Sequence, residues 1–210
     1  MRYIWTDAGD DPSWDVGDAY GIDGYFFPAF DPVTTIGLVT EARTRAKAQG
    51  IYVGHGWIAG TPAQYALAVR NYLKPFMTAI PTVRLQVNME EHDSGLIVAR
   101  LTELRRLLPK IGLSWSLEGM QGGWFTPSLV SALNLLSVRV VPEAFSGAEG
   151  RMQSITDTRA LVADLTARGI PDARITPMID AKYAGLINLW DGYAFTMGRL
   201  PWPPRNWETA

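Results

Sequence analysis

Residues 83–108, VRLQVNMEEHDSGLIVARLTELRRLL, carry the pattern on which the fold assignment turns. Val83–Glu91 alternates: Gln86, Asn88 and Glu90 share one face of an extended segment, and Leu85, Val87 and Met89 share the other. A polar turn follows. From Gly95 to Leu108 the apolar spacing changes to three and four, putting Ile97, Leu101, Leu104 and Leu108 on one helical face that stops at Pro109. A strand ending in polar residues, then a turn, then an amphipathic helix make one β-α unit.

The unit recurs. Apolar runs at Tyr3–Asp7, Gly24–Asp31, Ile51–Trp57, Val83–Glu91, Gly112–Met120, Val138–Phe145, Arg174–Asp180 and Gly192–Met197 tend to end on carboxylates, Asn, His or Trp. Helical patterns follow several of them: Thr35 to Gly50, the helix capped by Thr61-Pro62, a short one from Thr126-Pro127 to Leu136, and Asp157 to Arg168. Eight such units predict an α/β fold, a compact (β/α)8 TIM barrel with reduced helices, in a single domain over residues 1–210. At 210 residues the chain is short for a barrel that typically takes ~250. The reductions are expected between Asp7 and Gly24 and between Lys182 and Gly192. A doubly wound sheet is the rival, weakened by the lack of Gly-x-Gly-x-x-Gly after the first strand.

Composition narrows the function. A net charge of -2 and no basic run argue against nucleic acid, and no stretch reaches the ~20 apolar residues of a membrane span. The opening MRYIWTD enters the first strand directly, with no signal-peptide pattern. There is no cysteine, hence no disulfide or thiolate metal site. Eight Trp, many in expected loops, exceed what a core needs. Indole faces beside carboxylates suit sugars, whose apolar ring face stacks while the hydroxyls hydrogen-bond.

Parity gathers the polar strand residues. Gln86, Asn88 and Glu90 are matched by Ser114, Ser116 and Glu118, by Arg139, Val141 and Glu143, and by Arg174, Thr176 and Asp180. Outer helices claim the apolar faces, so these turn inward. Glu90, Glu118, Glu143, Asp180 and Asp7 are then expected at the strand C-terminal mouth, with Arg139 and Arg174 as counter-charges below. Paired carboxylates are the tools of glycoside hydrolysis, one protonated and the other charged. Neighbouring strands suit a retaining pair and more distant ones an inverting pair, and the sequence leaves both open.

Two segments, Ala42-Arg43-Thr44-Arg45-Ala46-Lys47-Ala48-Gln49-Gly50-Ile51-Tyr52-Val53-Gly54-His55-Gly56-Trp57 and Gln86-Val87-Asn88-Met89-Glu90, carry a family likeness. The chain resembles the lysozyme-like muramidases of glycoside hydrolase family 25. That resemblance implies a glycosidase-like barrel with Glu90 at the general acid, Asn88 at the Asp of Asp-x-Glu and Asp7 at the strand-one carboxylate. The sequence departs from the family in having Asn-x-Glu, in Trp5-Thr6-Asp7 where Asp-x-Ser opens the family, and in the placement of His55. In texture the chain also resembles modules of phage tails, which implies a virion or extracellular setting and other tail chains as partners.

Trp57, Trp124 and Trp14, following strand ends, are the expected stacking residues, with His55 and Asn88 as polar contacts; Trp5 and Trp115 read as packing. No His-Glu-x-x-His spacing, nucleotide motif or Ser-His-Asp set occurs, so neither metal nor cofactor is expected. The reading is a glycosidase-like module binding or hydrolysing a cell-wall or surface polysaccharide. The alternative is a non-catalytic structural or adhesion domain on the same scaffold.

Overall fold

The computed structural model describes residues 2–6, 14–54, 56–78, 80, 84–117, 123–143, 155–180 and 194–197. Its strands are β1 (Arg2–Trp5), β2 (Gly24–Pro28), β3 (Ala48–Val53), β4 (Arg84–Asn88), β5 (Gly112–Leu117), β6 (Arg139–Pro142), β7 (Met178–Asp180) and β8 (Ala194–Met197). Between them run α1 (Trp14–Ala19), α2 (Pro32–Thr44), α3 (Pro62–Leu73), α4 (Ser94–Leu107), α5 (Pro127–Leu135), α6 (Ile155–Ala167) and a 3-10 turn at Asp172–Arg174. All strand pairs are parallel, in the order β6-β5-β4-β3-β2-β1-β8-β7.

The expected closed (β/α)8 TIM barrel is corrected by this sheet. Six parallel strands form an open half-barrel spanning an arc of 218°, with its edges 11 Å apart. The short β8 and β7 extend from β1, and among the described residues no ladder joins β7 to β6: the backbone pairs there as two isolated bridges, Val140↔Ile175 just before β7 and Glu143↔Met178 just after β6. Pro142 gives a physical reason. The Glu143 N–H donates to the Leu117 carbonyl on β5, so strand alternation turns position 142 towards β7. Proline offers no N–H there, and a continuous ladder cannot form.

Helix starts follow the capping chemistry of the sequence. Thr61 and Gln64 form a reciprocal capping box with Pro62 in the first turn. Asp31, Asp93 and Thr126 accept from the N–H groups of Thr34, Leu96 and Leu129. The end of α2 departs from expectation. Ala46 takes the left-handed turn, at φ 57°, that Gly50 was expected to supply, and Gly50 lies inside β3. The expected reduction before β2 leaves the six-residue α1, and the segment from Lys182 to Gly192 lies outside the described residues.

Two cores result. Outward strand residues, among them Phe27, Ile51, Val87, Leu113 and Trp115, pack against Val39, Val69, Leu101 and Leu133 of the helices. Inside the arc, Tyr3, Trp5, Phe26, Tyr52, Val141 and Met178 form a smaller core. Its rings fit because two facing positions are glycine. A Cβ on Gly24 would lie 2.7 Å from the Tyr3 ring, and one on Gly50 would lie 2.6 Å from carbons of the Phe26 ring. Gly50→Ala should therefore destabilise the fold by about 1–3 kcal/mol, the cost of overpacking, and Phe26→Leu in the same chain should recover part of it. Thermal denaturation checks this; an unchanged Tm for Gly50→Ala would show that the inner rings are loosely held.

Candidate functional site

The inner surface has two chemically different walls. On β4 and β5, Gln86 donates through Nε2 to Ser116 Oγ at 2.8 Å, and Ser114 Oγ donates to the Leu85 carbonyl at 3.2 Å. The Arg84 guanidinium reaches across to the Tyr3 hydroxyl, and Arg139 donates to Thr176 Oγ1 at 2.7 Å. These bonds satisfy buried polar groups that would otherwise cost about 1–3 kcal/mol each. At the C-terminal end of β4, Asn88 Nδ2 donates to Glu90 Oε1 at 3.1 Å, and both residues are half-buried. Glu143 is also half-buried and, two residues beyond inward-facing Val141, shares its face.

The other wall is aromatic. Trp5, the last residue of β1, meets Tyr52 edge-to-face at 4.4 Å. Tyr52 meets Trp57 at 5.9 Å, and Trp57 meets Phe30 at 5.0 Å. Trp57 folds back over Gly54, where a Cβ would lie 2.7 Å from the indole. Among the described residues two fully buried polar atoms at these strand ends have no hydrogen-bond partner, Trp5 Nε1 and Asn88 Oδ1.

The turn after β4 gives each of its residues a separate task. Glu91 pairs with Arg100, which is buried under α3 and lies over the Tyr65 ring at 4.5 Å. Burial raises the pKa of the Tyr65 hydroxyl above its ordinary value, with the nearby Arg100 opposing the shift. His92 stacks on Trp124 at 5.1 Å, with ring planes 12° apart. Asp93 caps α4. Glu90 alone turns to the inner face.

Several expected site residues are placed elsewhere. Trp14 is 7% exposed on α1, edge-on to Tyr25 with the Arg45 guanidinium over its ring, so it belongs to the outer core and not to a sugar platform. Trp124 packs against Trp115 and Phe125 on the outer side of the sheet, and its carbonyl accepts from Ser94. Arg174 donates to the Asn134 carbonyl at the end of α5, so it is no counter-charge inside the arc. Asp7, Glu118 and His55 lie outside the described residues. Asp180 pairs with Met197 through its backbone, and its side chain lies outside the described set. Trp5, read from the sequence as packing, is buried in the inner core together with Tyr52, to which sequence reasoning gave no role, and the two back the aromatic wall. Alternation from Tyr3 to Trp5, and between Ile51 and Val53, is the signal that finds them. Among the described residues no cluster of three or more His, Asp or Glu side chains is placed to hold a metal ion, and no helix is long and apolar enough to cross a membrane.

No protein-family model and no curated protein matches the chain by sequence. By structure it is similar to the spore cortex-lytic enzyme SleL of Bacillus megaterium QM B1551. The TM-score is 0.56 at 11% identity, covering 86% of this chain and 50% of that one. The chain thus spans about half the length of SleL, and the likeness concerns the fold. A pyruvate carboxylase from Rhizobium etli aligns at TM-score 0.46 and 12% identity over 82% of this chain and 18% of that one, too loosely to carry an argument. The family 25 resemblance is corrected accordingly: the half-barrel is not the closed barrel that it implied. The phage-tail and virion reading is withdrawn with it, since the likeness found concerns the fold and gives that reading no support.

The Glu91–Arg100 pair gives a direct test of the turn. Arg100→Met leaves Glu91 without its guanidinium in a largely buried site and should cost about 2–3 kcal/mol, below the range for a fully buried pair because Glu91 is partly solvated. Adding Glu91→Leu should restore most of that loss. Urea denaturation of the two single variants and the double variant measures the coupling; additive losses would show that the pair does not hold the turn.

Proposed function

We propose that this protein binds a polysaccharide of the cell-wall type across the C-terminal ends of its inner strands. The observation that carries the reading is the pairing of an aromatic edge, the half-buried Trp57 and exposed Phe30 backed by the buried Trp5 and Tyr52, with a polar wall that ends in Asn88 and Glu90. Sugars present both surfaces, an apolar ring face and a rim of hydroxyls. The likeness to SleL supports a glycan-handling fold.

A second reading, hydrolysis, has one specific support. Glu90 and Glu143 follow β4 and β6, with β5 between them. Two strand spacings put their backbones roughly 9–10 Å apart, nearer the wider separation of an inverting pair than the ~5 Å of a retaining one. In that reaction one carboxyl protonates the leaving oxygen while the other activates a water on the opposite ring face.

Soluble fragments of cell-wall glycan should quench Trp fluorescence on titration. Trp57→Ala should weaken binding about tenfold, near the worth of one aromatic contact, while Trp57→Phe keeps much of it. Trp124→Ala, outside the inner face, should lower stability with little effect on affinity. Absence of quenching across a broad panel would leave a purely structural role. Mass spectrometry of incubated glycan decides hydrolysis: new reducing ends that vanish in Glu90→Gln or Glu143→Gln establish it, and their absence with wild type rules it out.

A further inference from the structure

We propose that residues 200–207 of this chain dock in cis on the apolar rim formed by Phe30, Val33 and Trp57, and compete there with any incoming ligand. Phe30 is 48% and Val33 85% exposed, and Trp57 and Ile58 beside them in the fold's upper rim are half-buried. The other large exposed apolar residues, Leu67, Met77 and Leu135, stand elsewhere, on α3, in the turn after it and on α5. Apolar side chains gathered at one place mark a contact surface, whereas scattered ones need no explanation. Phe30 is also firmly held. The Ala29 N–H donates to the Tyr52 carbonyl at 3.0 Å, Thr35 Oγ1 donates to the Pro28 carbonyl at 2.8 Å, and Asp31 caps α2 directly after it. Its ring meets Trp57 edge-to-face at 5.0 Å. A ring fixed in this way loses little conformational freedom when it is covered.

The tether selects the occupant. β8 pairs with β1 in parallel, with Met197 opposite Trp5, so the chain leaves β8 at the same end of the sheet as Phe30 and Trp57. The order β2-β1-β8 puts that exit two strand spacings, roughly 10 Å, from the end of β2. Residues 198–210 lie outside the described residues, and their chemistry is read from the sequence. Leu200-Pro201-Trp202-Pro203-Pro204-Arg205-Asn206-Trp207 carries prolines that cannot continue a helix and that favour an extended chain before them. At ~3.1 Å per residue of polyproline II chain, Trp202 is reached about 15 Å from Met197, far enough to meet the rim. Proline-rich segments dock on aromatic surfaces because a preformed extended chain gives up little entropy. Arg199 and Arg205 flank the apolar part of the segment, and the Asp31 carboxylate follows Phe30 directly, so the charges are complementary. Tethering holds the segment at a roughly millimolar effective concentration, which a free partner or a second copy must exceed.

Paired-cysteine cross-linking in the full chain tests this, since the native chain has no cysteine to interfere. Gly37 is exposed on α2 one turn after Val33, and a Cβ there meets nothing within 4 Å, so Gly37→Cys is a benign anchor beside the rim. Combined with Asn206→Cys and a short bis-maleimide in dilute solution, it should give a cross-linked monomer. Ser131→Cys, exposed on α5, should give little with the same Asn206→Cys. Adding Trp202→Ala or Phe30→Ala to the Gly37→Cys pair should lower the yield about fivefold, near the worth of one aromatic contact. Far-UV circular dichroism matching the parent shows that the yields compare folded chains. Equal yields from the two anchors, or a yield indifferent to both alanine variants, would overturn the docking. A cross-linked dimer in place of the monomer would overturn docking in cis and assign the rim to a second copy. No arm uses a glycan, so the outcome is independent of the functional reading above.

Discussion

The inside of the arc is filled by rings from one side, and most of the architecture follows from that. Tyr3, Trp5, Phe26 and Tyr52 come from the first three strands and need space that ordinary side chains would occupy. Gly24 and Gly50 supply it. Interiors are close-packed, so such a fit leaves little freedom for alternatives. Once the rings fill this side, the facing strands β4 and β5 need not be apolar inside and carry Gln86, Ser114 and Ser116 in mutual hydrogen bonds. The contrast between the two walls is therefore a packing consequence before it is a functional one.

Electrostatics after β4 is divided with the same economy. Four consecutive polar residues, Glu90 to Asp93, would repel or cap indifferently if all were solvated. Glu91 instead meets a buried guanidinium, His92 meets an indole and Asp93 meets the first turn of α4. Three of the four point away from the inner face, and their anchors fix the backbone that directs Glu90 towards Asn88. A helix N-terminus favours acids in general. Only the partners tell which acid serves the cap, and here it is Asp93.

Strand parity was legible in the sequence because it is local. Gln86, Ser114 and Ser116 are buried on the inner side, and Val87, Leu113 and Trp115 on the outer side, as alternation requires. Closure was not legible, because it depends on pairing between β6 and strands far along the chain. The missing N–H of Pro142 matters only once its neighbour across the gap is known. Trp14 was misread for a related reason. The Asp-rich run before it has the composition of a loop, yet the indole lies in a short helix held by Tyr25 and Arg45. Arg174 likewise fits strand parity but sits in a 3-10 turn. Tertiary partners overrode the local pattern in each case.

A filled interior also dictates where a ligand can sit. Among the described residues Tyr3 and Phe26 pack inside the arc with Trp5, Tyr52, Val141 and Met178, so polar chemistry falls to the ends of the strands. Trp57 and Phe30 lie beyond β3 and β2, and Asn88 and Glu90 at the end of β4, so the described strand ends are aromatic on one side and polar on the other.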